Sequence, residues 1–322
     1  MNLFSKPIKG VIFFDIDDTL CDTSNFFKAA VIQSLQTLLE EKRDLNVSLN
    51  SLFDLYINIY NKDKNAQNHY NILLKTLGLK EVDLNNLENK LVSIRHEFKF
   101  NHYKDYKYHD AIELFEKLEN SNFKVGIISD GIEEKQLEKL KLLYLLKKID
   151  KGLIYITKSK NSFEKNIEGY KKIYEKTKLR YKTNNIWMIG DREDKDIYPA
   201  KEVGFKTIRS LKGKYSQSHP TSNAHIITKN LDNIPINYFF IFQEIENKLN
   251  LFKRKSNYKK IQEYSSKLLN LYQESKLNLF KELLEITITQ ISKYQQDSPE
   301  EIKSFIGNLQ TIKQQLEIFN LN

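Results

Sequence analysis

Hydrophobic positions recur along this chain at two different spacings. A short apolar run at residues 9–14 is rich in β-forming residues and is typical of a buried strand. From residue 23 to residue 103, apolar side chains instead recur every three or four positions, and no strand pattern interrupts them. The chain is therefore predicted to form one strand and then a long, wholly helical block.

Strand and helix patterns alternate after this block. Strands are predicted at residues 124–128, 153–156, 185–189, 206–208 and 225–228, and helices at residues 111–119, 135–145, 170–177 and 196–203. Strands that alternate with helices predict a parallel sheet covered on both faces, which is a Rossmann-like α/β fold. We therefore expect a core of residues 1–22 and 104–239, with residues 23–103 inserted into it as a helical unit.

Helical spacing returns after about residue 238. The sequence Ser298-Pro299-Glu300-Glu301 is typical of a helix start, with serine as the cap, proline at the first position and glutamate closing the capping box. Residues 240–322 are therefore predicted to form a helical C-terminal extension.

The composition excludes several kinds of site and location. Cys21 is the single cysteine, so neither an intramolecular disulfide nor a cysteine-based zinc site can form. No uncharged apolar run approaches the roughly 20 residues needed to cross a bilayer, and the first apolar run is too short for a signal peptide. We expect a cytoplasmic protein without a membrane partner.

The net charge is +9, from 51 basic and 42 acidic side chains. The chain is also rich in Lys, Asn, Ile, Tyr and Phe, which have A/T-rich codons, so part of the charge reflects a bias in the coding sequence. Since no nucleic-acid recognition motif accompanies the charge, a nucleic-acid partner is disfavoured.

Polar residues follow the predicted strands at four points along the chain. They are Asp15, Asp17 and Thr19 after the first strand, Ser129 after the second, Lys165 after the third, and Gly190, Asp191 and Asp196 after the fourth. Ligands of open α/β sheets bind beyond the carboxyl ends of the strands, so these side chains are expected to meet in one crevice.

Several carboxylates in one crevice indicate a divalent cation, because like charges there raise each other's pKa and Mg²⁺ removes the conflict. An aspartate beside such an ion can attack phosphorus. A second aspartate two residues later can protonate the leaving oxygen and then activate water. Ser129 and Lys165 would hold the phosphoryl oxygens.

The four motifs in this order resemble those of the haloacid dehalogenase superfamily, over about residues 9–237. Its Asp-x-Asp-x-Thr motif, its strand-end Ser or Thr, its Lys and its Gly-Asp motif are matched by Asp15, Asp17 and Thr19, by Ser129, by Lys165, and by Gly190 and Asp191 with Asp196. The segment that begins Ser129-Asp130-Gly131 resembles more closely the small-molecule phosphatase branch that contains N-acylneuraminate-9-phosphatase.

The resemblance implies a role for each matched position. Asp15 would be the nucleophile and a metal ligand, and Asp17 the acid and base, binding metal through its backbone carbonyl. Asp191 would complete the protein ligands, with Gly190 and Asp196 supporting the site. Thr19 would orient the first loop beside the phosphate.

The implied activity is that of a Mg²⁺-dependent phosphomonoesterase acting on a small phosphorylated metabolite. The helical block at residues 23–103 stands where these relatives insert a cap over the active site. Within it, Arg95, His96, Lys99 and His102 are candidates for substrate contacts, although their helical spacing favours a solvent-exposed face.

Three alternatives remain open. Asn166 stands where the superfamily usually has proline, so Lys158 or Lys160 could replace Lys165 as the phosphate-binding lysine. A phosphomutase of the same fold would share the motifs, whereas a dehalogenase is disfavoured because Asp17 is present. The third alternative is a scaffold that associates with itself or with a partner through residues 240–322.

Overall fold

The computed structural model describes residues 8–63, 66, 68–158, 163–216, 222–234, 236 and 239. The predicted C-terminal helical extension, residues 240–322, lies outside the described residues, as does Lys160.

Six strands form one parallel sheet. They are β1 (Gly10–Phe14), β2 (Phe123–Ile132), β3 (Ile154–Lys158), β4 (Ile186–Gly190), β5 (Lys206–Ser210) and β6 (Ile226–Thr228). Their order across the sheet is β3-β2-β1-β4-β5-β6, and every neighbouring pair is parallel. The predicted Rossmann-like α/β fold is confirmed.

Eight α-helices accompany the sheet in the described part of the chain. They are α1 (Thr23–Glu41), α2 (Leu49–Lys62), α3 (His69–Thr76), α4 (Glu81–His102), α5 (His109–Glu119), α6 (Glu133–Leu142), α7 (Ile167–Tyr181) and α8 (Tyr198–Glu202). The first four follow one another between β1 and β2, where the sequence predicts a wholly helical insert.

Side chains of β1 alternate between two hydrophobic layers, as the two-residue period of a strand requires. Phe13 belongs to a buried cluster with Tyr170 of α7, whereas Phe14 belongs to a second cluster with Phe115 of α5. All five residues of β1 are buried. A central strand covered on both faces therefore reads in the sequence as a continuous apolar run.

The helices α1 to α4 pack around a hydrophobic cluster of their own. Each contributes at least one buried leucine, and Leu35, Leu52, Leu73 and Leu91 represent the four helices in order. This cluster is separate from the two that cover the sheet. The insert therefore has its own core.

The chain leaves and re-enters the sheet region through two segments that lie side by side. The backbone N–H of Asp22 donates to the carbonyl of Tyr106 at 2.8 Å, and the N–H of Tyr108 donates to the carbonyl of Leu20 at 2.9 Å. These bonds tie the two connections of the insert into one junction.

The end of α6 differs from its predicted position. The hydrophobic spacing predicts a helix to residue 145, but α6 ends at Leu142 and Tyr144 has a positive φ of 60°. Leu143 and Leu145 are nevertheless buried, because the turn after the helix continues to face the core. Hydrophobic periodicity reports burial, and here the burial extends beyond the helix.

None of the described helices combines the length and the apolar character that a bilayer-spanning helix needs.

Candidate active site

The candidate site lies where the strand order of the sheet reverses, between β1 and β4. Asp15 directly follows β1 and Asp191 directly follows β4. The N–H of Asp15 donates to the carbonyl of Ile189 at 2.9 Å, which fixes the two strand ends against each other. Open α/β sheets bind ligands at such a switch point.

Lys165 joins two carboxylates in this crevice. Its Nζ lies 2.7 Å from Oδ1 of Asp15 and 2.6 Å from Oδ1 of Asp196, and all three side chains are buried. Lys158, one of the alternatives in the sequence, is exposed at the end of β3. Of these two lysines, Lys165 is the one that the structure brings to Asp15.

The loop that carries Lys165 is held by the start of α7. The side chain of Asn166 accepts a hydrogen bond from the N–H of Gly169 at 2.9 Å and so caps the helix. A Cβ at Gly169 would lie 1.9 Å from the carbonyl oxygen of Glu164, so the loop can pack this closely only against glycine. Asn166 thus provides a helix start at the position where the superfamily usually has proline.

Asp196 reaches the same crevice from a π-helical turn, Glu193–Ile197. The sequence predicts an α-helix from residue 196, but this turn precedes α8 instead. Its backbone bends so that Oδ2 of Asp196 accepts a hydrogen bond from the N–H of Arg192 at 3.1 Å. A Cβ at Gly190 would lie 2.5 Å from the Asp196 carboxylate, so glycine at the end of β4 leaves the room that Asp196 occupies.

Three carboxylates therefore form one buried group. Oxygen atoms of Asp15, Asp191 and Asp196 all lie within 4.8 Å of one another. Burial, together with the charges of Asp196 and Asp17, raises the pKa of Asp15 to about 7 against the opposing charge of Lys165. Burial and the charges of Asp196, Asp15 and Asp18 raise the pKa of Asp191 to about 9.

The charge of Lys165 is stabilised by the same group. Burial alone would lower its pKa, but the carboxylates of Asp15 and Asp196 outweigh that effect and raise the pKa well above the usual range of lysine. Lys165 therefore remains a cation in the crevice, where it can face an anionic ligand.

Buried polar atoms without a partner mark the places where a ligand fits. Both carboxylate oxygens of Asp191 and the hydroxyls of Thr19 and Ser129 are buried and form no hydrogen bond within the described part of the chain. Leaving such groups unpaired costs about 1–3 kcal/mol each. The carboxylate oxygens suit a hard divalent cation, and the hydroxyls suit phosphoryl oxygens.

The carboxylate of Asp17 points to α6 and contributes no oxygen to the three-carboxylate group. It binds Nζ of Lys139 at 2.5 Å, Nε2 of Gln136 at 3.1 Å and Oγ1 of Thr23 at 2.8 Å. Burial alone would raise its pKa, but the Lys139 ammonium and these hydrogen bonds lower it. Asp17 is therefore ionised in this arrangement.

Gln136 and Lys139 contact Asp17 but belong to none of the four motifs. Their spacing of three residues puts both on one face of α6, which starts directly after the strand that ends in the Ser129 motif. That spacing is the signal in the sequence that could have indicated them.

Three of the four candidate residues of the insert have partners in the structure. Nη1 of Arg95 donates to the hydroxyl of Tyr56 at 2.9 Å, Lys99 pairs with Glu138 of α6, and His102 lies 3.2 Å from Asp105. His96 is exposed. Lys99 thus links the insert to α6, the helix whose Gln136 and Lys139 contact Asp17.

The chain is similar in sequence to known proteins. A family model described as haloacid dehalogenase-like hydrolase matches residues 12–210. A glyceraldehyde 3-phosphate phosphatase of Methanocaldococcus jannaschii is 33% identical over 214 residues, which are 65% of this chain and 87% of the relative. A second, from Pyrococcus furiosus, is 30% identical over 211 residues, which are 64% of this chain and 82% of the relative.

Among solved structures, a HAD phosphatase from Thermococcus onnurineus superposes with a TM-score of 0.44 at 21% identity. The match covers 69% of this chain and 94% of that one.

Proposed function

The chain belongs to the haloacid dehalogenase-like hydrolase family and is a phosphatase, and on this premise we propose that it hydrolyses small sugar phosphates with the help of Mg²⁺. The observation that carries the proposal is the contact of the Lys165 ammonium with Asp15, beside the Asp191 carboxylate, whose oxygens have no partner among the described residues. A cation and a carboxylate nucleophile then face the same phosphoryl group.

The three clustered carboxylates support a metal site. Asp15 and Asp191 would hold Mg²⁺ directly, with the backbone carbonyl of Asp17 as the further ligand that the family resemblance implies, and Asp196 would support them. Bound Mg²⁺ would offset the negative charge of the carboxylates and of the phosphoryl oxygens. Lys165, Ser129 and Thr19 would hold the remaining oxygens of the phosphate.

In the first reaction step, a carboxylate oxygen of Asp15 attacks phosphorus and the bond between phosphorus and the ester oxygen breaks. The departing alkoxide takes a proton from the carboxyl group of Asp17, and the alcohol leaves. The product on the protein is an aspartyl-phosphate. For this step Asp17 must carry a proton and give up its ion pair with Lys139. The second step of the preceding turnover, in which Asp17 takes a proton from water, supplies that proton.

In the second step, ionised Asp17 takes a proton from a water molecule, whose oxygen attacks the phosphorus of the aspartyl-phosphate. The bond between phosphorus and Asp15 breaks, and inorganic phosphate is released. The contacts of Asp17 with Lys139 and Gln136 favour the ionised form that this step needs.

The insert formed by α1 to α4 would act as the cap of the site. Its two connections lie next to the first loop, so a rotation about their junction would bring the insert over Asp15 and exclude water. The division of the chain at residues 22 and 104 is part of this proposal.

Glyceraldehyde 3-phosphate is our first candidate substrate, because the relatives from Methanocaldococcus jannaschii and Pyrococcus furiosus are named as its phosphatases. These two relatives share 33% and 30% of the aligned residues with this chain. Their alignments span 87% and 82% of the relatives, and the family model spans residues 12–210, which include the insert.

The test is phosphate release by the purified full-length protein with Mg²⁺ from a panel of sugar phosphates, nucleoside monophosphates and carboxylate-bearing phosphates. We expect glyceraldehyde 3-phosphate to rank among the best substrates and Asp15→Asn to lose at least about a thousandfold in kcat. Asp194→Asn, at an exposed carboxylate in the π-helical turn after β4, is the matched control and should keep wild-type activity.

Activity retained by Asp15→Asn would rule out the aspartyl-phosphate mechanism. Transfer of the phosphoryl group to a second hydroxyl of the sugar, with no release of phosphate, would instead identify a phosphomutase. Release of phosphate solely from nucleotides or carboxylate-bearing phosphates would contradict the sugar phosphate as substrate.

A further inference from the structure

Arg209 is a buried arginine beside the candidate site to which the mechanism above gives no role. It lies one residue before the end of β5, level with Gly190 of β4, and 1% of the residue is exposed. A buried guanidinium costs free energy unless its N–H groups are well paired. Its contacts therefore indicate what it stabilises.

Arg209 reaches acceptors in two loops. Nε donates to the backbone carbonyl of Asp191 at 3.3 Å, and Nη2 donates to the carbonyl of Tyr215 at 3.2 Å. Nη1 lies 3.7 Å from the carboxylate of Glu193. The guanidinium thus connects the loop after β4 with the loop after β5.

Glu193 provides a second attachment for the loop after β4. Its carboxylate accepts hydrogen bonds from the N–H of Asn223 at 3.1 Å and from the hydroxyl of Ser222. With Arg209, these contacts fix the backbone on both sides of Arg192. The Asp191 side chain, whose two oxygens have no partner within the described residues, starts from this fixed backbone.

We propose that Arg209 is a positioning residue that fixes the backbone of Asp191 and so aims its carboxylate at Mg²⁺. The inference rests on the proposed function, since it concerns the metal of that site. The planar guanidinium directs several N–H groups in fixed directions, which a lysine ammonium at the same position does not. The proposed role of Arg209 depends on the fixed directions of its N–H groups more than on its positive charge.

The positive charge of Arg209 and its hydrogen bond to the backbone of Asp191 are expected to affect metal binding in opposite directions. Removing a positive charge near a cation site strengthens cation binding through Coulomb's law. Removing the support of a metal ligand weakens binding, by about tenfold to a hundredfold for partners that orient ligands. Arg209→Lys keeps the positive charge and loses the planar guanidinium, whereas Arg209→Met loses both.

The experiment measures the Kd of Mg²⁺ for the full-length protein by isothermal titration calorimetry, without substrate. We expect both Arg209→Lys and Arg209→Met to raise this Kd by about tenfold or more. Arg180→Lys is the matched control and should leave the Kd unchanged. Arg180 is an exposed arginine on α7 that pairs with Asp150.

Thermal unfolding in the presence of a chelator establishes that each variant is folded. If Arg209→Met alone unfolds because Glu193 is left buried without the positive charge of Arg209, the double variant Arg209→Met with Glu193→Gln removes both charges, and we expect the same weakened binding from it.

A wild-type Kd in Arg209→Lys, with tighter binding in Arg209→Met, would show that only charge matters and would overturn the proposal. A wild-type Kd in all variants would overturn it too and leave the metal site intact. A wild-type protein that binds no Mg²⁺ would overturn the metal site itself, and the role of Arg209 with it.

Discussion

The candidate site concentrates negative charge in a small buried volume. Asp15, Asp191 and Asp196 bring their oxygens within 4.8 Å of one another, and Lys165 contacts two of the three carboxylates. Burial is the largest cause of the raised pKa values of Asp15 and Asp191. At the residue scale, a divalent cation bound here would relieve a cost that the fold imposes.

Lys165 should be needed for catalysis in a way that Lys158 is not. We expect Lys165→Met to lower kcat/KM by about a hundredfold, because the variant loses the cation that faces both Asp15 and the phosphate. Lys158→Met, the exposed alternative from the same region, should keep wild-type kinetics. Equal losses in the two variants, measured by phosphate release, would contradict this assignment.

The stability of the metal-free protein should fall as the pH rises. The pKa values of Asp15 and Asp191 are raised in the folded protein to about 7 and about 9, so between about pH 4 and about pH 9 these two groups bind more protons in the folded state than in the unfolded state. Ionising these groups then destabilises the fold, and Mg²⁺ binds the ionised form. The rise in Tm that Mg²⁺ produces should therefore be larger at about pH 9 than at about pH 5.

Asp191→Asn is the control for this pH dependence, because an amide cannot ionise. Its Tm without metal should fall less from about pH 5 to about pH 9 than that of the wild type, as differential scanning calorimetry would show. A pH dependence identical to that of the wild type would mean that Asp191 does not titrate in this range.

At the scale of elements, the insert is a helical block with a hydrophobic cluster of its own, while Phe26 and Ala30 of α1 belong to the cluster that covers the sheet. The cluster that contains Leu35 and Leu91 joins α1 to α4, and hydrogen bonds between the two connections fix where the unit is attached. Such a unit can move as a body or unfold locally while the sheet remains folded.

Leu35→Ala should destabilise this unit. Removing a fully buried leucine side chain leaves a cavity, so we expect a loss of about 2–5 kcal/mol in the free energy of unfolding. Leu179→Ala, at a leucine that is 77% exposed on α7, should cost little. Denaturant unfolding measures both values.

Hydrogen exchange tests where the destabilisation acts. In Leu35→Ala, amides of α1 to α4 should exchange faster, while those of β1, β2 and β4 should keep their protection. Faster exchange in both regions would mean that the insert and the sheet unfold as one cooperative unit.

At the scale of the whole molecule, the charge of +9 gives little information about partners. The described ion pairs include lysines that serve local purposes, among them Lys165 in the site and Lys99 between the insert and α6. The scaffold alternative depends on residues 240–322, outside the described part of the chain, and it stays a prediction.

The protein should bind polyanions only weakly. We expect it to elute from a heparin column below physiological salt, because dispersed surface charges are screened over about 8 Å at that ionic strength. Retention well above physiological salt would contradict this view and would return a nucleic-acid partner to consideration.

Local patterns along the sequence were enough to predict the α/β architecture and the residues of the candidate site. The apolar run of β1, the alternation that follows residue 103 and the polar residues at the strand ends are all local patterns. Parallel strands bring their carboxyl ends to one edge of the sheet, so the local patterns sufficed to predict that Asp15, Lys165 and Asp191 meet.

Tertiary structure alone decided how each side chain is used. Asp17 and Asp196 both follow strands, but Asp17 turns to Lys139 of α6, whereas the π-helical turn brings Asp196 to Lys165. The contact of Arg209 with the backbone of Asp191 joins residues on two different strands in the same way. Such contacts depend on side-chain directions and loop bends set by distant neighbours, which hydrophobic spacing along the chain does not encode.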